Sequence, residues 1–288
     1  MNLFIIALLF YIIRCCVVRL FVGGDFFFSE LAFFTLTLSM VCITAGGYVI
    51  NAYFDREIDE LNKPERVIVG RDYSTLNTIQ LHLTLSLAGL LFGGAVAVSY
   101  SIYSLIVIQV LSVFLLWYYS LQLKRVVFVG NFVVALLAGA APLIAGVYEF
   151  NNPYMDVPMA ILLGFAGFAF LFTFAREVIK DLEDQPGDER YGCRTLPIVW
   201  GRKKAIWFVG FLLTLTTGGL VWIQQFACIL SDYYTPVYFL VTVQLPSIYL
   251  MIRLLRSETP ADYLFISRLM KWIMLAGILY GVLMYIIY

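Results

Sequence analysis

Nine separate runs of about 20 apolar residues dominate this chain, at approximately 2–22, 31–52, 76–99, 102–121, 127–147, 156–178, 205–226, 234–252 and 267–287. Each is long enough for a helix to cross the roughly 30 Å hydrocarbon core of a bilayer. Within that core only helices and closed barrels satisfy their own backbone groups, and runs of continuous rather than alternating apolarity select helices. The expected fold is therefore all-α: a polytopic membrane protein of nine transmembrane helices, forming a single membrane-embedded domain over 1–288. Composition agrees, with 62% hydrophobic and 13% charged residues, against about 45–50% and 25% in soluble domains. The apolar N-terminus has no basic leader and no small-residue cleavage site, so it reads as a retained first span.

The loops set the orientation. Arg56, Lys63, Arg66 and Arg71 follow the second run, and Lys124 and Arg125 follow the fourth. Arg176, Lys180, Arg190, Arg194, Arg202, Lys203 and Lys204 surround the loop after the sixth, and Arg253, Arg256, Arg268 and Lys271 flank the loop after the eighth. The alternate loops hold Asp25, Glu30, Glu149, Asp156 and Asp232 and no cation. Only Arg14 and Arg19 depart from this one-sidedness. The positive-inside rule makes the basic side cytoplasmic, with the N-terminus inside and the C-terminus outside. The expected location is integral to the inner or plasma membrane, multi-pass. Zero net charge and the lack of a basic tract exclude nucleic acid as a partner. The single histidine, His82, leaves no histidine-built zinc site, and the five cysteines, without CxxC spacing, read as small buried hydrophobes.

Chemistry concentrates where two apolar runs meet polar loops. Asn51, Asp55 and Asp59 are four apart, which on a helix forms one stripe drifting about 40° per step. Glu177, Asp181, Asp184 and Asp188 form a second acidic stripe after the sixth run. Each polar loop continues into a basic residue near a proline, Lys63-Pro64-Glu65-Arg66 and Arg194-Thr195-Leu196-Pro197, a pattern that hints at internal duplication. Carboxylates so placed suit a hard cation, and magnesium is usually held by one or two carboxylates together with substrate phosphates. Two facing stripes could hold magnesium with a diphosphate between them, on the cytoplasmic side. Lys63, Arg66, Arg71, Lys124 and Arg194 could neutralise the remaining phosphate oxygens. Solvated loop carboxylates would look the same one at a time; the pairing of two stripes on one side is what argues for a site.

These residues resemble a known family. Asn51-xxx-Asp55-xxx-Asp59 with Asn62-Lys63-Pro64-xx-Arg66 is similar to the first signature of the UbiA superfamily of intramembrane prenyltransferases. Asp184-xxx-Asp188-xxx-Gly192-xx-Thr195 is similar to the second, and Tyr119-Ser120-xxx-Lys124-Arg125 with Gly130-Asn131 to a segment between them. The resemblance implies a prenyl diphosphate bound through magnesium, an allylic carbocation and capture by a lipophilic acceptor. It implies Asn51, Asp55 and Asp59 as one metal site and Asp184 and Asp188 as the other, with the four aspartates catalytic. Lys63, Arg66, Lys124 and Arg194 would contact diphosphate, and Tyr119 and Asn131 would position substrate or shield the cation. Ala52 and Val67 stand where many members carry a second aspartate and the proline of an Arg-Pro pair.

The string from Arg176 to Asp184, with Arg194-Thr195-Leu196-Pro197-Ile198, resembles members that act as geranylgeranylglycerol-phosphate geranylgeranyltransferases. Such an acceptor is anionic, which Arg176 and Lys180 would suit, with Asp181 beside them in the substrate-binding set. An aromatic acceptor of quinone synthesis, 4-hydroxybenzoate or dihydroxynaphthoate, is the alternative. A transporter is the alternative of a different class, and the absence of mid-span carboxylates counts against it.

Overall fold

The structure, a computed structural model, describes residues 2–150, 156–229 and 231–288. Among the described residues nine helices are long and apolar enough to cross a membrane. They are α1 (Leu3–Val22), α2 (Glu30–Asn62), α3 (Thr75–Ser99), α4 (Tyr103–Leu121), α5 (Val129–Glu149), α6 (Asp156–Arg190), α7 (Arg202–Ile229), α8 (Tyr234–Leu255) and α9 (Pro260–Ile287). No strand is present among them, and the expected all-α architecture stands.

The apolar runs understate two helices. α2 continues ten residues past 52 and α6 twelve past 178, so each acidic stripe lies on helix rather than in loop. In α2 nothing breaks the helix between Asn51 and Asn62, until Pro64 forces the preceding Lys63 to φ −148°. α6 passes through Pro186 and ends at Arg190, and Gly192 just beyond it has a φ of +70°, the left-handed conformation that closes a helix without steric cost. α9 starts seven residues before its apolar run because Thr259 and Asp262 form a reciprocal capping box.

The chain divides into two compact units, with residues 2–8, 28–133 and 186–195 in the first and 9–27, 134–185 and 196–288 in the second. In the first, α2 and α3 approach through small residues, as helices do where lipid provides no hydrophobic drive. A side chain at Gly89 would lie 2.6 Å from Ile43, and one at Gly93 would overlap the Gln109 amide. Ser39 Oγ donates to Gly89 O at 2.7 Å and accepts from Gln109 Nε2 at 3.2 Å. His82, buried in the same seam, places Nδ1 2.9 Å from Gly46 O. A cavity of about 630 Å³ between α2, α3 and α4 is lined by apolar and aromatic side chains, including Tyr53, Phe114 and Trp117.

In the second unit α1 is interrupted by a π-helical turn, Ile13–Val18, that turns Arg14 inward. Arg14 is 1% exposed, and its Nε lies 3.0 Å from Oε1 of the fully buried Glu149. The Phe26 ring covers the guanidinium at 4.5 Å. This pairing accounts for one of the two cations that broke the one-sided pattern; the other, Arg19, lies over the Tyr285 ring at 6.0 Å.

All five cysteines are free thiols, and only Cys193 is buried; Cys15 and Cys228 are exposed. The expectation of burial fails because the outward faces of membrane helices are themselves apolar.

Asp232 caps the start of α8, accepting from the backbone N–H of Tyr234 at 2.9 Å and Thr235 at 3.1 Å and from Tyr288 Oη at 3.0 Å. Burial alone would raise its pKa, but these hydrogen bonds outweigh it and hold the carboxyl below the ordinary 3.8. A depressed carboxylate contributes stability that is complete above its unfolded pKa and is lost as pH falls through the folded one. The thermal stability gap between the wild type and Asp232→Asn is therefore expected to be full at pH 7 and to close only in acid below pH 3.8. Melting curves of both proteins in detergent across pH 7 to 3 measure this; a gap that persists unchanged at the acid end would contradict it.

Candidate active site

The site begins on α2, where helical spacing puts Asn51 and Asp55 one turn apart. Asn51 Nδ2 donates to Asp55 Oδ2 at 2.7 Å, and Lys124 Nζ, from the turn after α4, is paired with Asp55 Oδ1. Both ends of that ion pair are mostly buried, with 13% and 16% of the side chains exposed. Asn51 Oδ1 is left buried with no hydrogen-bond partner among the described residues. A buried amide oxygen without a donor costs free energy unless a ligand supplies the missing contact, and a hard cation is a ligand that it fits.

Lys124 is held there by the backbone of the next segment. A side chain at Gly130 would stand 2.7 Å from Leu123 O and 2.8 Å from Lys124 Cα, so glycine lets the start of α5 lie against the lysine turn. Asn131, next in sequence, is buried. Arg194 N–H donates to Arg125 O at 3.0 Å, which fastens the loop after α6 to the same turn.

The two acidic segments meet through a bond that the carboxylate spacing does not reveal. Pro186 cannot continue the backbone ladder of α6, and the next N–H, of Gly187, donates to Asn62 Oδ1 at 2.9 Å. A Cβ at Gly187 would fall 2.5 Å from the Asn62 amide. The end of α2, one turn after Asp59, is thereby joined to the residue preceding the buried Asp188 within the first unit. The Asn62-Lys63-Pro64 string was part of the signature, yet the pairing of Asn62 with Gly187 was not legible because it joins positions 125 residues apart. Asn62→Ala is expected to lower turnover by up to about a hundredfold, the scale of an ångström-level misplacement, with the melting temperature little changed. Parallel rate and melting measurements test this, and a large fall in melting temperature would make the bond structural instead.

Lys63 is half-buried and donates its N–H to Asp59 O at 2.7 Å. Arg66 closes the short turn Pro64–Arg66, and its side chain lies outside the described residues. Tyr119 is half-buried near the end of α4. Arg176, Lys180, Asp181 and Asp184 belong to the second unit. There Glu177 is buried and accepts from Arg176 Nη1 at 3.0 Å and from Lys180 Nζ at 2.8 Å, while Asp181 and Asp184 are half-buried. Among the described residues no three carboxylates, histidines or cysteines gather into a ready-made metal cage. The donor set instead has the sparse, oxygen-only character of sites that share magnesium with substrate phosphates.

The UbiA prenyltransferase family matches residues 11–275. The chain belongs to the UbiA prenyltransferase family. It is an enzyme of prenyl transfer, and the transporter alternative falls away. A digeranylgeranylglyceryl phosphate synthase of Methanothermobacter thermautotrophicus is 35% identical over 262 residues, 87% of this chain and 83% of that protein. A protein of the same name from Methanosphaera stadtmanae is 33% identical over 186 residues, 64% of each chain, so that match spans just under two thirds of the relative. Among solved UbiA-type structures, one described as a digeranylgeranylglyceryl phosphate synthase in membranes superposes over the whole of both chains with a TM-score of 0.64 at 26% identity. A UbiA homolog from Archaeoglobus fulgidus, bound to DMAPP and Mg2+, matches with a TM-score of 0.62 at 17% identity, covering 99% of this chain and 98% of that one. The likeness to this homolog speaks for the UbiA fold. The stretches Asn51–Arg66 and Asp184–Thr195, on which the resemblance was read, both lie inside the matched residues.

Proposed function

We propose that this UbiA-family enzyme transfers a prenyl group from a prenyl diphosphate to the hydroxyl oxygen of a glycerol-phosphate lipid, at the cytoplasmic face of the membrane. The observation that carries the reading is the Asn51–Asp55–Lys124 group, a buried, oxygen-rich point with one amide oxygen unsatisfied and a cation already in place. Asn51, Asp55 and Asp59 would hold one magnesium and Asp184 and Asp188 another. Magnesium, when bound, supplies neutralisation of the charge that grows on a departing diphosphate. Lys124, Lys63, Arg66 and Arg194 would hold the phosphate oxygens. Lys124 is suited to this because its ammonium already sits beside the Asp55 carboxylate. Tyr119 and Asn131 would orient the allylic end. In the reaction the carbon–oxygen bond to diphosphate breaks, the acceptor oxygen bonds to the same carbon, and the hydroxyl proton leaves to the diphosphate. The apolar helices would keep water from the carbocation.

The names of the relatives support a lipid acceptor with a phosphate head, as do the cations Arg176 and Lys180 on α6. Labelled geranylgeranyl diphosphate offered with a glycerol-phosphate ether lipid, 4-hydroxybenzoate or dihydroxynaphthoate separates the readings. Product is expected with the phosphate lipid, and capture by an aromatic acid alone would overturn the assignment.

A further inference from the structure

We propose that Arg176, Lys180 and Lys271 form a subsite, ordered by Glu177, that binds the phosphate monoester head of the acceptor lipid. The proposal rests on the glycerol-phosphate reading above and adds to it the residues, one of them on the last helix, that recognise the head. All four lie in the second unit.

Arg176 and Lys180 are one turn apart on α6, and both bind the Glu177 carboxylate, at 3.0 and 2.8 Å. Lys271 comes from α9. The two helices are in intimate contact further into the membrane, where the Phe168 ring fills the place of a side chain at Gly277. Helices six and nine in a nine-span chain run in opposite directions. From that contact, Arg176 lies eight residues, roughly 12 Å, along α6, and Lys271 lies six residues, roughly 9 Å, back along α9. Both therefore stand at the same level, at the end of the apolar run of α6, where a lipid presents its head. The Lys271 ammonium is close enough to act on the charges of Glu177, Arg176 and Lys180, and the exposed Arg268 acts on Lys271 in turn.

Three cations, Arg176, Lys180 and Lys271, act on the Glu177 carboxylate. Glu177 holds the cations in place and does not neutralise them. Arg176 spends Nη1 on Glu177, while its Nε is buried without a hydrogen-bond partner among the described residues. A guanidinium in that condition lacks a second acceptor, and a phosphate oxygen supplies it in the geometry that arginine favours. A dianionic phosphate monoester also offsets the surplus positive charge. Asp184, about two turns past Glu177 along α6, belongs to the proposed metal set instead.

The direct probe is lysophosphatidic acid, a single-chain phosphate monoester, titrated into purified protein beside the uncharged monoacylglycerol of the same chain length. Wild type is expected to bind the phosphate lipid more tightly. Lys271→Met and Arg176→Gln are each expected to weaken that binding by about tenfold or more, the loss that one charge-assisted contact carries, and Lys271→Arg to restore most of it. In transfer assays the KM for the phosphate lipid should rise in these variants by at least ten times any change in the KM for geranylgeranyl diphosphate. Equal affinity of the wild type for the two lipids, or undiminished binding by both loss-of-charge variants, would overturn the subsite. A KM effect falling on the diphosphate instead would also overturn it by assigning the cluster to the donor. Because the binding measurement requires no transfer, capture of only an aromatic acid in the acceptor screen would sink the proposed function and leave the subsite to be decided by lysophosphatidic acid.

Discussion

Replacing Asp55 with alanine is expected to cut magnesium-dependent diphosphate release by about 10²–10³-fold, the range seen when one preorganised electrostatic contact to developing charge is removed. Two losses combine in this variant. An oxygen proposed to bind magnesium disappears, and the buried Lys124 ammonium and Asn51 amide lose the carboxylate that both contact. Asp184→Ala is expected to fall as far, by the loss of an oxygen from the second proposed metal site. Asp55→Asn separates the two effects: it keeps the shape and one oxygen while releasing the lysine from its ion pair, so part of the activity should return at raised magnesium. Diphosphate release from geranylgeranyl diphosphate, titrated with magnesium, measures all three. Release that is unchanged in the two alanine variants would remove these carboxylates from the metal assignment.

The largest expected effect on stability lies elsewhere, at Arg14 and Glu149. Breaking a buried ion pair by truncating one partner strands the other charge, at a cost of about 3–5 kcal/mol. Both side chains here are within 1% of complete burial, and lipid surroundings provide no water to rescue a stranded ion. Glu149→Leu and Arg14→Met should each lower the melting temperature in detergent sharply. The double replacement should recover much of the loss, because two apolar side chains leave no charge uncompensated. A double variant that melts as low as the sum of the singles would show that the pair is needed for more than its own neutralisation.

How far the sequence carried depends on what kind of signal each feature leaves. The nine helices were legible because a bilayer demands unbroken apolarity over a fixed length, and Asn51, Asp55 and Asp59 because their spacing matches a helical turn. The helix ends at Asn62 and Arg190 were not legible from hydropathy, which reports where lipid stops and says nothing about where the backbone ladder stops. Asn62 and Gly187 escaped because their contribution is a neutral hydrogen bond across 125 residues of sequence. Arg14 looked like an exception to the charge rule because its partner, Glu149, is remote in sequence and only packing brings them together. Lys271 looked like one more cytoplasmic cation on the flank of a loop, and its electrostatic link to Glu177 emerges only from the packing of α9 on α6.

One face of α6 carries Arg176, Lys180, Asp184 and Asp188 at successive four-residue steps. Sign reverses halfway, with the positive pair at the end of the apolar run and the negative pair one further turn toward the polar segment. On the proposed assignment a lipid still rooted in the bilayer would meet the cations before the carboxylates. A headgroup bearing phosphate would then be retained at the first two steps, while a bare cation would pass to the last two. Sorting of lipid from metal is written into a single rod, and lengthening it by one residue between Lys180 and Asp184 would rotate the carboxylates by about 100° away from the line of the cations.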